Sequence, residues 1–125
     1  MKVYKIVLVK NNALVSCITH HSKYAIKYQI GKLTKPKLKN SLIFTFSNIE
    51  SAIKAAVILQ VLKPQETYKI YEAEAVGKTL MPSRIANRLT DTAIRNFWNG
   101  KGVTAQTCND TVLCEAIKLT KEVKL

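Results

Sequence analysis

The sequence predicts an α+β fold, a mostly antiparallel sheet of about five to six strands with two helices packed against it. Three observations carry this. Runs rich in β-branched residues dominate the first 46 positions, two later segments have helical spacing, and strand-like runs follow each of those segments. No repeat or linker interrupts the 125 residues, so a single domain over 1–125 is expected.

Each element has a local reason. Residues 3–10 and 13–19 are strand-like, and Asn11-Asn12 between them supplies a turn, which predicts a hairpin. Tyr24, Ile26, Tyr28 and Ile30 alternate with Ala25, Lys27 and Gln29, the period of a half-buried strand that Gly31 should end. A basic loop around Pro36 spans 32–40, and 42–46 is an apolar central strand. Ser47 and Glu50 fit a capping box, and Ile49, Ala52, Ile53, Ala56 and Val57 fit a helix that Pro64 stops. A strand is expected over 68–76, broken at Gly77. A second helix follows over 84–99, closed by Gly100, and a last strand over 111–119 with a tail that extends it.

Charge is the most informative quantity. Twenty Lys and Arg against eight Asp and Glu give +12, beyond the magnitude of about 2–8 that serves the solubility of a small domain. Residues 1–49 hold nine lysines and no acid, whereas 50–125 hold eleven bases and eight acids. Such a field draws polyanions. The ratio of 17 Lys to 3 Arg also fits a purely compositional lysine surplus. No apolar run approaches the length of about 20 residues that a membrane span needs, and the first residues lack a signal-peptide core, so no membrane partner and a cytoplasmic location are expected. Cys17, Cys108 and Cys114 lack metal-type spacing, and the adjacent rings of His20 and His21 would point to opposite faces of a strand. No metal and no cofactor are expected.

The three arginines are the sharpest feature. On a helix over 84–99, Arg84, Arg88 and Arg95 fall within about 40° of one another, flanked by Asn87 and Trp98. Guanidinium groups grip phosphate bidentately, and a tryptophan stacks on a base for about 1–3 kcal/mol. This stripe is the expected ligand-binding site; a solvated helix face is the alternative. Lys35, Lys37 and Lys101 are expected as secondary phosphate contacts. Tyr24 and Tyr28 are candidates for stacking, or for the core. Catalytic motifs are absent from the sequence, and Glu72 with Glu74 read as a solvent face answering nearby lysines, so binding without catalysis is expected.

Three segments resemble small phage proteins: Leu42 to Phe46 leading into Ser47 to Ala52, Tyr68 to Glu74, and Thr111 to Leu119. The layout is similar to that of the phage Thoeris anti-defence sponge family. That resemblance implies a homo-oligomer that sequesters a small cyclic nucleotide, of the cyclic ADP-ribose type or a cyclic oligonucleotide, in the host cytoplasm and without cleaving it. The family's pockets use arginines late in the chain, where this one has Asn109, Asp110 and Glu115. Two other function classes fit the sequence: a basic module that binds nucleic acid or inhibits a CRISPR-type nucleoprotein, and a protein-interaction domain using the apolar helix as an oligomer seam.

Overall fold

The computed structural model describes residues 1–17, 22–38, 40–82, 84–86, 90–101, 104–106 and 110–124, with 84–86 and 104–106 as backbone. In chain order the elements are β1 (Lys2–Lys10), β2 (Ala13–Ser16), β3 (Lys27–Tyr28), β4 (Leu33–Thr34), β5 (Ile43–Phe46), α1 (Ile49–Leu62), β6 (Thr67–Leu80), β7 (Arg84–Ala86), α2 (Asp91–Trp98), β8 (Thr104–Gln106) and β9 (Thr111–Val123). The α+β class and the antiparallel sheet are as predicted. Seven strands, rather than five or six, form the main sheet among the described residues, and β7 and β8 make a separate pair.

The sheet closes on itself. β1 pairs with β6 from Lys2↔Glu74 to Val9↔Thr67, and β6 pairs with β9. β9 pairs with β5 from Cys114↔Ile43 to Thr111↔Phe46, and β5 returns to β1 at Tyr4↔Phe46. All four pairings are antiparallel, so β1, β6, β9 and β5 form a ring. Alternation along each strand then sends every second side chain inward. The interior holds Val3, Val7, Ile43, Tyr71, Val112, Cys114, Ile117 and Leu119. On the outside, α1 lays Ala52 and Ala56 over Ile6 and Ile70. Its other side carries Val57, Ile58, Val61 and Leu62, all more than half exposed.

Local chemistry explains where the elements begin and end. Asn11 and Asn12 both have positive φ, 52° and 64°, the backbone of a two-residue hairpin turn between Lys10 and its partner Ala13. The N-cap of α1 is Asn48, not Ser47: the Asn48 side chain accepts from the amides of Glu50 and Ser51, while the Ser47 amide donates to the Asp110 carbonyl. The strand expected over 24–30 shrinks to Lys27–Tyr28, because Ser22 turns the chain by accepting the Ala25 amide on its carbonyl and the Tyr24 amide on its hydroxyl. Gly77 does not end β6. At φ 81° it sits where the step from Val76 to Thr79 spans one residue more than the facing step from Ala116 to Cys114, a bulge that bends the strand onward to Leu80.

The second helix is the main correction. It starts at Asp91, with Thr90 as N-cap accepting from the Ala93 amide, and not at residue 84. Arg84 to Ala86 is extended and pairs with Gln106 to Thr104. At 84–86 helical spacing lost to a strand partner some twenty residues away, and α2 takes its start from the strong signal at Thr90-Asp91. No helix among the described residues is long and apolar enough to cross a membrane.

Candidate ligand pocket

The site follows from a fork in the pairing of β1. Along one edge β1 meets β5 at Tyr4, then changes partner to β2 at Val7↔Ser16. Lys5 lies between those two positions, with the inward parity of Val3 and Val7. Where β2 and β5 part, a cavity of about 170 Å³ opens. Its deeper lining is Lys5, Ser16, Tyr28 and Ile43, all buried. Toward solvent it is walled by Tyr24, Phe44, Phe97 and Trp98 and edged by Lys37.

Lys5 is 7% exposed. Its Nζ donates to the Phe44 carbonyl at 2.8 Å and stands 5.6 Å from the centre of the Tyr28 ring. Among the described residues no carboxylate forms an ion pair with it. A cation taken out of water without a counter-charge is costly, and a ligand that offers electron-rich oxygen relieves that cost. The Tyr28 hydroxyl is buried beside Lys5 and Ser16 and makes no well-formed hydrogen bond among the described residues. Burial pushes its pKa above the ordinary 10.0, with the Lys5 charge pulling the other way, so it is a neutral donor at physiological pH. Ser16 Oγ accepts from the Ile26 amide at 2.8 Å. Three donors therefore gather at the inner end of an otherwise apolar cavity.

The aromatic wall is held from two sides. Trp98, the last residue of α2, packs edge-on to Phe97 at 4.8 Å between centroids and tilted to Phe44 at 6.1 Å. Such geometries stabilise the cluster beyond its buried area. Arg95 Nη1 donates to the Tyr24 hydroxyl at 3.4 Å, and Ser22 Oγ donates to Asp91 Oδ1 at 2.6 Å. These two contacts tie the chain before β3 to α2 and hold the pocket mouth in shape.

The residues singled out from the sequence divide accordingly. Tyr24, Tyr28, Lys37 and Trp98 meet in this cavity. The arginine stripe does not exist as expected: Arg84 lies on β7 and not on the helix that carries Arg95, and Asn87 and Arg88 lie outside the described residues. Arg95 itself bridges to Tyr24. Lys101 is exposed and its amide donates to the Asn96 carbonyl at the end of α2; Lys35 is exposed and does not line the cavity. His20, His21 and Cys108 also lie outside the described residues. Glu72 pairs with Lys2 at 3.6 Å and Glu74 with the chain's amino terminus at 2.9 Å.

Sequence reasoning missed Lys5, Ser16, Phe44 and Phe97. The signal for Lys5 was present: one cation at the inward parity of an otherwise apolar run, Val3 to Leu8. Among the described residues no group of His, Cys, Asp or Glu is placed to hold a metal ion. Comparison with protein-family models, with curated proteins and with solved structures found no match.

Proposed function

We propose that this protein binds, without transforming it, a small phosphate-bearing ligand whose ring enters the aromatic pocket. One observation carries the reading: among the described residues, a buried lysine with no paired carboxylate and a buried tyrosine hydroxyl with no well-formed hydrogen bond line the same aromatic-walled cavity. Size sets the class of ring. An apolar cavity of about 150 Å³ accommodates benzene, so about 170 Å³ suits one ring system and not a whole nucleotide. The donor-rich inner end favours a ring edge that presents acceptors, such as the carbonyl oxygens of a uracil- or guanine-type base. The remainder of the ligand stays at the mouth, within reach of Lys37. Capture of this kind is what sequestering a nucleotide signal requires.

Trp98 is the only tryptophan of the chain and stands in the pocket wall, so its fluorescence is a direct reporter. Titration with uridine and guanosine monophosphates should give a saturable change in emission. The change should disappear in Lys5→Met while the thermal transition of that variant remains cooperative. No response from Trp98 to any nucleoside or nucleotide would sink the reading.

A further inference from the structure

A second cavity lies next to the aromatic pocket and is more polar and more basic, although Ala13, Val15, Ala25 and Ile26 also line it. It is a groove of about 390 Å³ lined by Lys10, Lys23, Lys27 and Lys37 together with polar Asn11 and Ser22. Lys37 and Ile26 line both cavities, so the two share a wall. No acid among the described residues lines the groove. Among the described residues none of its four lysines forms an ion pair; the ion pairs present use the amino terminus, Lys2, Lys69 and Lys124. Asp91, the carboxylate bonded to groove-lining Ser22, already accepts from that hydroxyl. Lys23 Nζ also stands 5.3 Å from the ring centre of Tyr24, which walls the aromatic pocket.

We propose that pocket and groove are the two halves of one site, and that the groove takes the phosphate chain of the ligand whose ring occupies the pocket. The ligand class is then a nucleotide bearing two or more phosphates in a row. This rests on the reading of the aromatic pocket given above and adds a subsite to it. The division of labour follows from the chemistry of each half. Aromatic walls favour a ring and repel a bare polyanion, whereas ammonium groups are compact point charges suited to phosphate. Four like charges facing one concave surface repel one another. A chain of phosphates in the groove relieves that repulsion in proportion to its length.

The experiment fixes the ring and varies the chain. Uridine, its mono-, di- and triphosphate, and inorganic tripolyphosphate are titrated against the full-length protein, followed by Trp98 emission and by calorimetry at two salt concentrations. Affinity should rise at least about tenfold from mono- to triphosphate, with a steeper salt dependence for the longer chain. A double variant Lys10→Gln, Lys27→Gln, at two groove residues that do not line the pocket, should bring the triphosphate down to the monophosphate affinity while leaving uridine unchanged. A control pair, Lys118→Gln with Lys121→Gln, removes the same charge from residues that line neither cavity and should keep the chain-length effect. If uridine binds and chain length makes no difference, the inference falls and the pocket reading stands. If the control pair abolishes the effect as fully as the groove pair, overall charge explains it and the inference falls. If tripolyphosphate binds while neither uridine nor guanosine moves Trp98 emission, the pocket reading fails and the two-part site fails with it. Tight binding of single-stranded RNA, with weak binding of every nucleotide in the series, also overturns it.

Discussion

Lys5 Nζ reaches from β1 to the backbone carbonyl of Phe44 on β5, a contact of 2.8 Å that crosses the fork where the cavity opens. The same ammonium is thus both a structural link between two strands and a polar group presented to the pocket. The two roles respond differently to substitution. Lys5→Met gives up one hydrogen bond to a charged group, about 1.5–3 kcal/mol. It also removes an uncompensated buried charge, whose effective penalty is several kcal/mol. The melting temperature of Lys5→Met should therefore equal or exceed that of the parent, measured by calorimetry at neutral pH, although ligand binding is lost. A drop of several degrees would show that the link to Phe44 dominates.

Tyr28 makes a pH prediction with a definite sign. Its pKa is raised in the folded state, foremost by burial, so the folded chain holds that proton above pH 10.0 where the unfolded chain releases it. The stability it contributes is complete below pH 10.0 and is lost as pH rises from there toward the raised value. Tyr28→Phe removes a buried hydroxyl that makes no well-formed hydrogen bond among the described residues, so at neutral pH it should be neutral or stabilising by up to about 1 kcal/mol. Alkaline melting curves of the two proteins should diverge above pH 10.0, with the phenylalanine variant falling less steeply.

The cap of α1 separates two neighbouring side chains. Asn48→Ala removes the acceptor for the Glu50 and Ser51 amides and should cost about 1 kcal/mol in urea melts. Ser47→Ala leaves those bonds in place and should change stability by less than about 0.5 kcal/mol. Equal effects at the two positions would contradict the assignment of the cap.

Gly77 is constrained twice. Its φ of 81° is unfavourable for a side chain, and a Cβ there would stand 2.8 Å from Glu115 Oε2. That carboxylate accepts from the Lys78 amide at 2.9 Å, so it cannot swing away without cost. Gly77→Ala should destabilise by about 1–3 kcal/mol, read by chemical denaturation. Glu115→Ala in the same background should recover part of the loss, because it clears the close approach but not the backbone conformation.

Much of the fold was legible because it is local. The hairpin is written in Asn11-Asn12 between two β-branched runs, α1 in its spacing and the stop at Pro64, and β9 in a run whose tail continues the strand. Ring closure was not legible: β1 meets β5 across some forty residues and β5 meets β9 across nearly seventy, and no periodicity encodes such pairing. The arginine stripe failed for the same reason. Residues 85, 86 and 89 fit a helix by spacing, but extended pairing of Arg84–Ala86 with β8 depends on a segment beyond the window. Within the site, aromatic and basic residues could be named but not assembled. Tyr24 and Trp98 are brought together by the turn at Ser22 and the seating of α2, and Lys5 looked like one more surface lysine until its parity was set against Val3 and Val7.

The ring has unequal joints. β6 is joined to β1 and β9 over long stretches, whereas the ladder between β1 and β5 is the single pair Tyr4 and Phe46, with the Lys5 contact to Phe44 beside it. Thermal breathing concentrates where the fewest bonds must break together, so this short joint is the natural parting line of the barrel. The cavity lies beside it. Amide exchange should be fastest around the short joint and slowest between β6 and β9, and an occupied cavity should slow the former and leave the latter unchanged. In kinetic terms, the rate at which a ligand enters and leaves would then be governed by how often that joint opens.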